Sequence, residues 1–288
     1  LMMIPGLAFF VIFSYIPMYG ITIAFKNFNF AQGLLRSPWI GFDNFISFFK
    51  SESFYTLTRN TLLINIYKIV WLFPISIFTA IALDQIKNRI LRRTIQSITF
   101  LPYFISWIMI ESMLYGFVNP TSGTLTMLAK NIGMDMPNIY GMPELWRSII
   151  TATYVWQIGG YYSIIFFAAI SGIEQELYEA AIMDGASKFR QIWHVTLPCI
   201  KPTAIVLLIL QIGYIMNGNF GQVFALVGNN SAVYSTVDVL DTFVYRGAFV
   251  KGDFSYPAAV GLYQSVVSML FVIVTNYVVK KRGYEGIF

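Results

Sequence analysis

Three glutamines, Gln157, Gln211 and Gln264, stand inside long apolar runs, each the tenth residue of its run. A carboxamide carries both hydrogen-bond donors and an acceptor, which is what solute hydroxyls require. Tyr154 and Tyr161 share one helical face with Gln157 at i, i+3 and i+7. Tyr214, Asn217 and Asn219 follow Gln211, and Tyr263 precedes Gln264. Tyrosine rings can stack on the apolar C–H face of a pyranose while amides bind its hydroxyls, so the set suits a neutral saccharide better than a metal or a phosphate. These nine side chains form the candidate solute path. Hydrogen bonds between helices are the competing use for the same residues, because a polar group in hydrocarbon must find a partner, a cavity or the bundle interior.

Catalytic chemistry has little raw material. The single histidine, His194, and the single cysteine, Cys199, exclude a disulfide, a thiolate metal cluster, a multi-histidine metal site and a histidine-based triad within the membrane. No catalytic residue and no metal ligand is assigned, and His194 is read as a surface or interface residue. The chain also lacks a Gly-x-x-x-x-Gly-Lys-Ser/Thr run, so it does not bind ATP by the P-loop route, and energy must come from another polypeptide.

The elements that hold these residues are membrane spans. With 57% hydrophobic and 11% charged residues and a mean hydropathy of +0.63, the chain departs from a soluble domain, in which about a quarter of residues would be charged. Six apolar runs have spanning length: Leu1 to Phe25, Asn60 to Leu83, Gln96 to Val118, Ser148 to Ile170, Pro202 to Val227 and Ser255 to Val279. An all-α polytopic membrane protein with six transmembrane helices is expected. It divides into residues 1–59 (first helix and an aromatic-rich external segment), 60–279 (five helices and a polar loop at 171–201) and a basic tail, 280–288. The chain opens inside an apolar run with no charge before it, so its native N-terminus is expected to lie upstream, without a cleaved signal peptide. The glutamines then sit about 13.5 Å from the ends of their spans, near the bilayer midplane.

The polar loop has its own pattern. Ser171 and Glu174 predict a capping box and a helix start, Asp184-Gly185 breaks that helix, and Ser187 caps a second short helix carrying Phe189, Ile192 and Trp193. Pro198 and Pro202 mark the return to the bilayer. A helix-turn-helix knob standing off the membrane results.

The positions Glu179, Ala180, Ala181, Gly185, Leu197 and Pro198, with Val195 in place of the usual Ile, resemble the cytoplasmic loop of the permease subunits of binding-protein-dependent type I ABC importers. The resemblance implies that the knob docks on a separate ATPase. The small residues allow close approach, Phe189 and Trp193 fill a groove, and Asp184 and Ala186 flank the turn. It also implies two ATPase subunits that hold the ATP and Mg, a second related permease subunit, and an extracytoplasmic solute-binding protein. No cofactor is expected on this chain. Tyr19-Gly20, Ala24-Phe25, Gly41 and Asn44-Phe45 are similar to the carbohydrate and oligosaccharide branch of these importers, which include permeases for polysaccharides and multiple sugars. A sugar substrate is therefore expected rather than an amino acid or peptide, the alternative. A secondary transporter and an intramembrane enzyme are weaker readings.

With that loop on the cytoplasmic side of a bacterial cytoplasmic membrane, the inner segments carry ten Lys and Arg over 52 residues and the outer segments eight over 90. This agrees with the positive-inside rule, puts both termini in the cytoplasm, and accounts for the net charge of +5 through contact with lipid rather than nucleic acid. The outer segments Asn119 to Arg147 and Gly228 to Phe254 are turn-rich and suited to a docking protein. Lys68 and Glu111 would each lie about 10 to 12 Å below the outer surface, and an intramembrane ion pair between them is expected; the competing role for Lys68 is to meet the carboxylate of a charged saccharide.

Overall fold

The computed structural model describes residues 2–284, in which helices, turns and loops are joined by a single isolated bridge between Lys26 and Trp39. Leu1 of the first run and residues 285–288 of the basic tail lie outside the described residues. The principal helices are α1 (Ile4–Phe25), α2 (Asp43–Lys50), α3 (Glu52–Gln85), α4 (Arg89–Phe104), α5 (Trp107–Val118), α6 (Pro143–Ser171), α7 (Gln175–Met183), α8 (Lys188–Gly213), α9 (Phe220–Val227), α10 (Leu240–Tyr245) and α11 (Ser255–Lys281). Four of them, α1, α3, α8 and α11, are long and apolar enough to cross a membrane singly. The bent pairs α4–α5 and α6–α7 raise the number to six.

The bundle is built on the pair α3 and α6. Ser51 caps α3 by accepting the Phe54 N–H, and the helix then runs through Pro74 for 34 residues. Its buried positions Leu57, Thr61, Ile64, Lys68, Leu72, Ser76, Ala80 and Leu83 recur every three or four residues, one face along the whole length. That face meets α6, where Ser76 Oγ donates to the Gly159 carbonyl at 3.1 Å. Gly159 and Gly160 each cost a helix about 1 kcal/mol relative to alanine. At Gly160 the reason is space: a Cβ there would stand 2.0 Å from the Thr99 carbonyl oxygen. The α6 and α4 backbones touch at this point.

The inner core gathers Leu72, Ala80, Phe166, Ile170, Ile200 and Leu207, and the outer core Ile64, Ile110, Trp146, Ile150 and Val223. Val233, Val237 and Val239 belong to the outer core, all 0% exposed. The segment Gly228 to Phe254, expected as an external docking piece, is thus folded into the bundle over much of its length. Asn60 and Arg147 hold it there: Asn60 Nδ2 lies 3.2 Å from the Asp238 carbonyl, while Arg147 donates to Asn60 Oδ1 at 2.8 Å and to the Thr236 carbonyl.

α1 packs little against the rest of its own chain until its end, where Ala24 is fully buried. Asn44 Nδ2 donates to the Ala24 and Lys26 carbonyls, and the Phe25 ring meets Phe42 and Phe45. Ala24-Phe25 and Asn44-Phe45 therefore form one folded corner, while Tyr19 is exposed on α1.

Candidate functional site

The knob consists of α7 and the first turns of α8. Ser171 does not begin the first helix: α6 continues through it, its Oγ donates to the Phe167 carbonyl, and α7 starts at Gln175 after a 70° bend. The expected capping box is absent because Ser171 is already inside a helix. The break after α7 is where the sequence puts it. Gly185 has φ of 75°, and the Ala186 N–H reaches back to the Ala181 carbonyl at 2.9 Å, a left-handed helix stop. Open space surrounds a Cβ at Gly185, so its requirement is conformational. Ser187 then caps α8, which is not a short helix but runs 26 residues through Pro198 and Pro202. A π-turn at Ile192–Thr196 sits just before Pro198, where the proline lacks an N–H for the regular ladder.

Two contacts absent from the sequence pattern brace the knob. Tyr178 OH and Thr196 Oγ1 are 2.9 Å apart, and Gln191 Nε2 donates to the Ala186 carbonyl at 3.0 Å. Burial pushes the Tyr178 hydroxyl above its usual range. The outward side is apolar: Met183, Phe189 and Trp193 are 87%, 73% and 60% exposed, and the last two rings stack. Glu179, Ala180, Asp184 and Pro198 are exposed beside them, whereas Ala181 and Ala186 are half-buried and Leu197 turns into the inner core. His194 is exposed, with Nδ1 against the Arg190 carbonyl.

The three glutamines do not converge; each is committed to a different bond. Gln157 is buried and donates to the Ile105 carbonyl at 2.6 Å, filling the gap where α4 and α5 bend by 100°. Gln211 Nε2 donates to the Tyr162 hydroxyl, with the Tyr154 hydroxyl alongside. Gln264 Nε2 donates to Asp241 Oδ1 at 3.2 Å. Tyr263 leaves the path altogether, its ring packed on Phe48, Phe49 and Phe54.

Tyr161, Tyr214 and Asn217 are exposed. Tyr161 stacks on Tyr103 with centroids 4.9 Å apart, an aromatic platform that the sequence reading missed on the α4 side. α8 stops at Gly213, and residues 214–219 are irregular up to α9, where Asn219 sits at φ of 55° as the cap. Asn65 fastens this break by donating to the Ile215 and Asn217 carbonyls, and Gln222 ties α9 to the Ile150 carbonyl.

Lys68 and Glu111 do not pair. Among the described residues the one ion pair is Arg246–Asp238, with the Arg246 guanidinium also over the Tyr234 ring. Counting depth along a straight third span fails because the bend at Ile105–Ser106 turns α5 away, leaving Glu111 near Tyr140.

A helical bundle with such a knob defines the membrane subunit of a type I ABC importer. Residues 72–283 match the family described as binding-protein-dependent transport system inner membrane component, and this chain belongs to it. Over its full length it is 38% identical to protein LplB of Bacillus subtilis, covering 90% of that protein. It is 35% identical to the polygalacturonan/rhamnogalacturonan transport system permease protein YteP of the same organism, with 89% of that protein covered. A chain in the crystal structure of a bacterial alginate ABC transporter, in complex with an alginate pentasaccharide-bound periplasmic protein, superposes with a TM-score of 0.90 at 31% identity, over 99% of this chain and 95% of that one.

Proposed function

We propose that this chain is a permease subunit of an ATP-driven oligosaccharide importer. With a second, related permease subunit it forms the translocation path. Two ABC ATPase subunits holding ATP and Mg seat on the knob, and an extracytoplasmic binding protein delivers the sugar to the outer face. Both termini then lie in the cytoplasm. The observation that carries the reading is the Gly185-turned knob, which presents stacked Phe189 and Trp193 to water at the spacing of an ATPase-docking loop. Such rings outside a membrane are interface anchors.

Solute contact is assigned to the exposed Tyr161, Tyr214 and Asn217, with Tyr154, Gln211, Asn219 and Gln264 behind them. Gln157 and Tyr263 have structural roles. The relatives that carry polygalacturonan and alginate favour a saccharide over an amino acid or peptide. ATP closure on the knobs brings them together and swings the path from inward-facing to outward-facing.

The test is uptake of labelled oligosaccharides into proteoliposomes containing the complete transporter and its binding protein. Uptake should require internal ATP. Tyr214→Ala and Gln211→Leu should lower it at least about tenfold, an effect of about 1.4 kcal/mol, with subunit assembly retained. Uptake of amino acids or peptides but no saccharide would overturn the substrate, and uptake without ATP the class.

A further inference from the structure

The Lys68 ammonium has no hydrogen-bond partner among the described residues, although the side chain is only 3% exposed. A cation buried within a membrane span costs a few kcal/mol or more unless a counter-charge meets it. Here it rests over the Tyr154 ring, 4.8 Å from the centroid. The acidic group whose field reaches it is Asp241 on α10.

Geometry independently puts the two together. Asn65, one turn earlier on the same face of α3, is bonded to Asn217 at the break between α8 and α9. The next residue, Gly218, donates its N–H to Asp241 Oδ2. Lys68 therefore lies one turn along α3 from the break, and Asp241 sits on the break itself. Yet Asp241 is engaged elsewhere, since its other oxygen accepts from Gln264. Gly218 is clamped as well: a Cβ there would stand 2.5 Å from a Val239 methyl.

We propose that Lys68 and Asp241 form a charge couple that is open in this conformation and closed in the opposite transport state, and that it positions the α8–α9 break. On closing, Asp241 releases the Gly218 N–H and Gln264 and takes Lys68. Residues 214–219, which carry Tyr214 and Asn217 into the path, are then free to rearrange. Both residues act through the break rather than on the solute. The proposal rests on the alternating-access reading above but not on the solute being a sugar.

The experiment is thermal melting of the complete transporter in detergent, once without nucleotide and once trapped with ATP and vanadate. Asp241→Asn retains an acceptor for Gly218 and loses the charge. It should melt within about 1 °C of wild type in one condition and about 4 °C lower in the other. Lys68→Met removes an unmet buried charge in the open state, so it should melt at or above wild type in the first condition and about 4 °C lower in the other; Lys68→Arg should restore most of that loss, and in the second condition the double variant should lose no more than the worse single one. Equal losses in both conditions, no loss in either, or additive losses in the double variant overturn the proposal. The readout uses no sugar, so a failure of saccharide uptake counts against the substrate reading alone.

Discussion

The knob and the outer insertion, residues 214–254, use similar residues in opposite ways. In the knob, polar side chains brace a short helix internally while Met183, Phe189 and Trp193 are exposed. In the insertion, Val233, Val237, Val239 and Leu240 are fully buried, and Asn60, Arg147, Asp238 and Asp241 are spent on holding them in place. Exposed apolar rings imply another chain. Buried valines satisfied from within imply a completed fold.

The sharpest break of that contrast is Phe189→Ala with Trp193→Ala. Truncated interface anchors cost about 2 to 4 kcal/mol each, so co-purification with the ATPase subunits should be lost while the permease keeps its melting temperature. Undiminished assembly would make the knob an ordinary loop. Next comes Asn60→Leu, which takes one of two acceptors from the Arg147 guanidinium and strips the Asn60 amide from the carbonyls of Ser235 and Asp238. The expected destabilisation is about 2 to 3 kcal/mol, read as a lower melting temperature with ATPase docking preserved in the complex that forms. Loss of docking at unchanged stability would erase the distinction between the regions. The smallest effect belongs to Tyr178→Phe, which removes one bond to Thr196. It should cost about 1 kcal/mol and weaken ATPase affinity a few-fold, whereas an unchanged affinity would show that the brace does not shape the docking face.

The same contrast separates what sequence reading reaches. Gly185 is legible because a turn needs its left-handed residue at one position, and Glu179 and Pro198 are marked only by their place in the motif. Spans appear as apolar runs wherever the helix is continuous. The bend at Ile105–Ser106 leaves no trace in hydropathy, so the partner of Gln157 and the misplacement of Glu111 could not be seen. The valines at 233, 237 and 239 are scattered among polar residues and form no run. Their burial comes from α3 and α6, and the cue was Asn60 and Arg147 at the ends of those spans, polar groups in need of carbonyls.

The close contact at Gly160 gives α6 a fulcrum. The helix is about 43 Å long, with about 26 Å from Pro143 to Gly160 and about 17 Å from there to Ser171. Turned about that point as a rigid rod, its outer end sweeps about 1.5 times as far as the end beside the knob. Such a lever would trade force for distance: a short, strong stroke at the knob end would become a longer, weaker one at the Pro143 end, where Trp146 is seated.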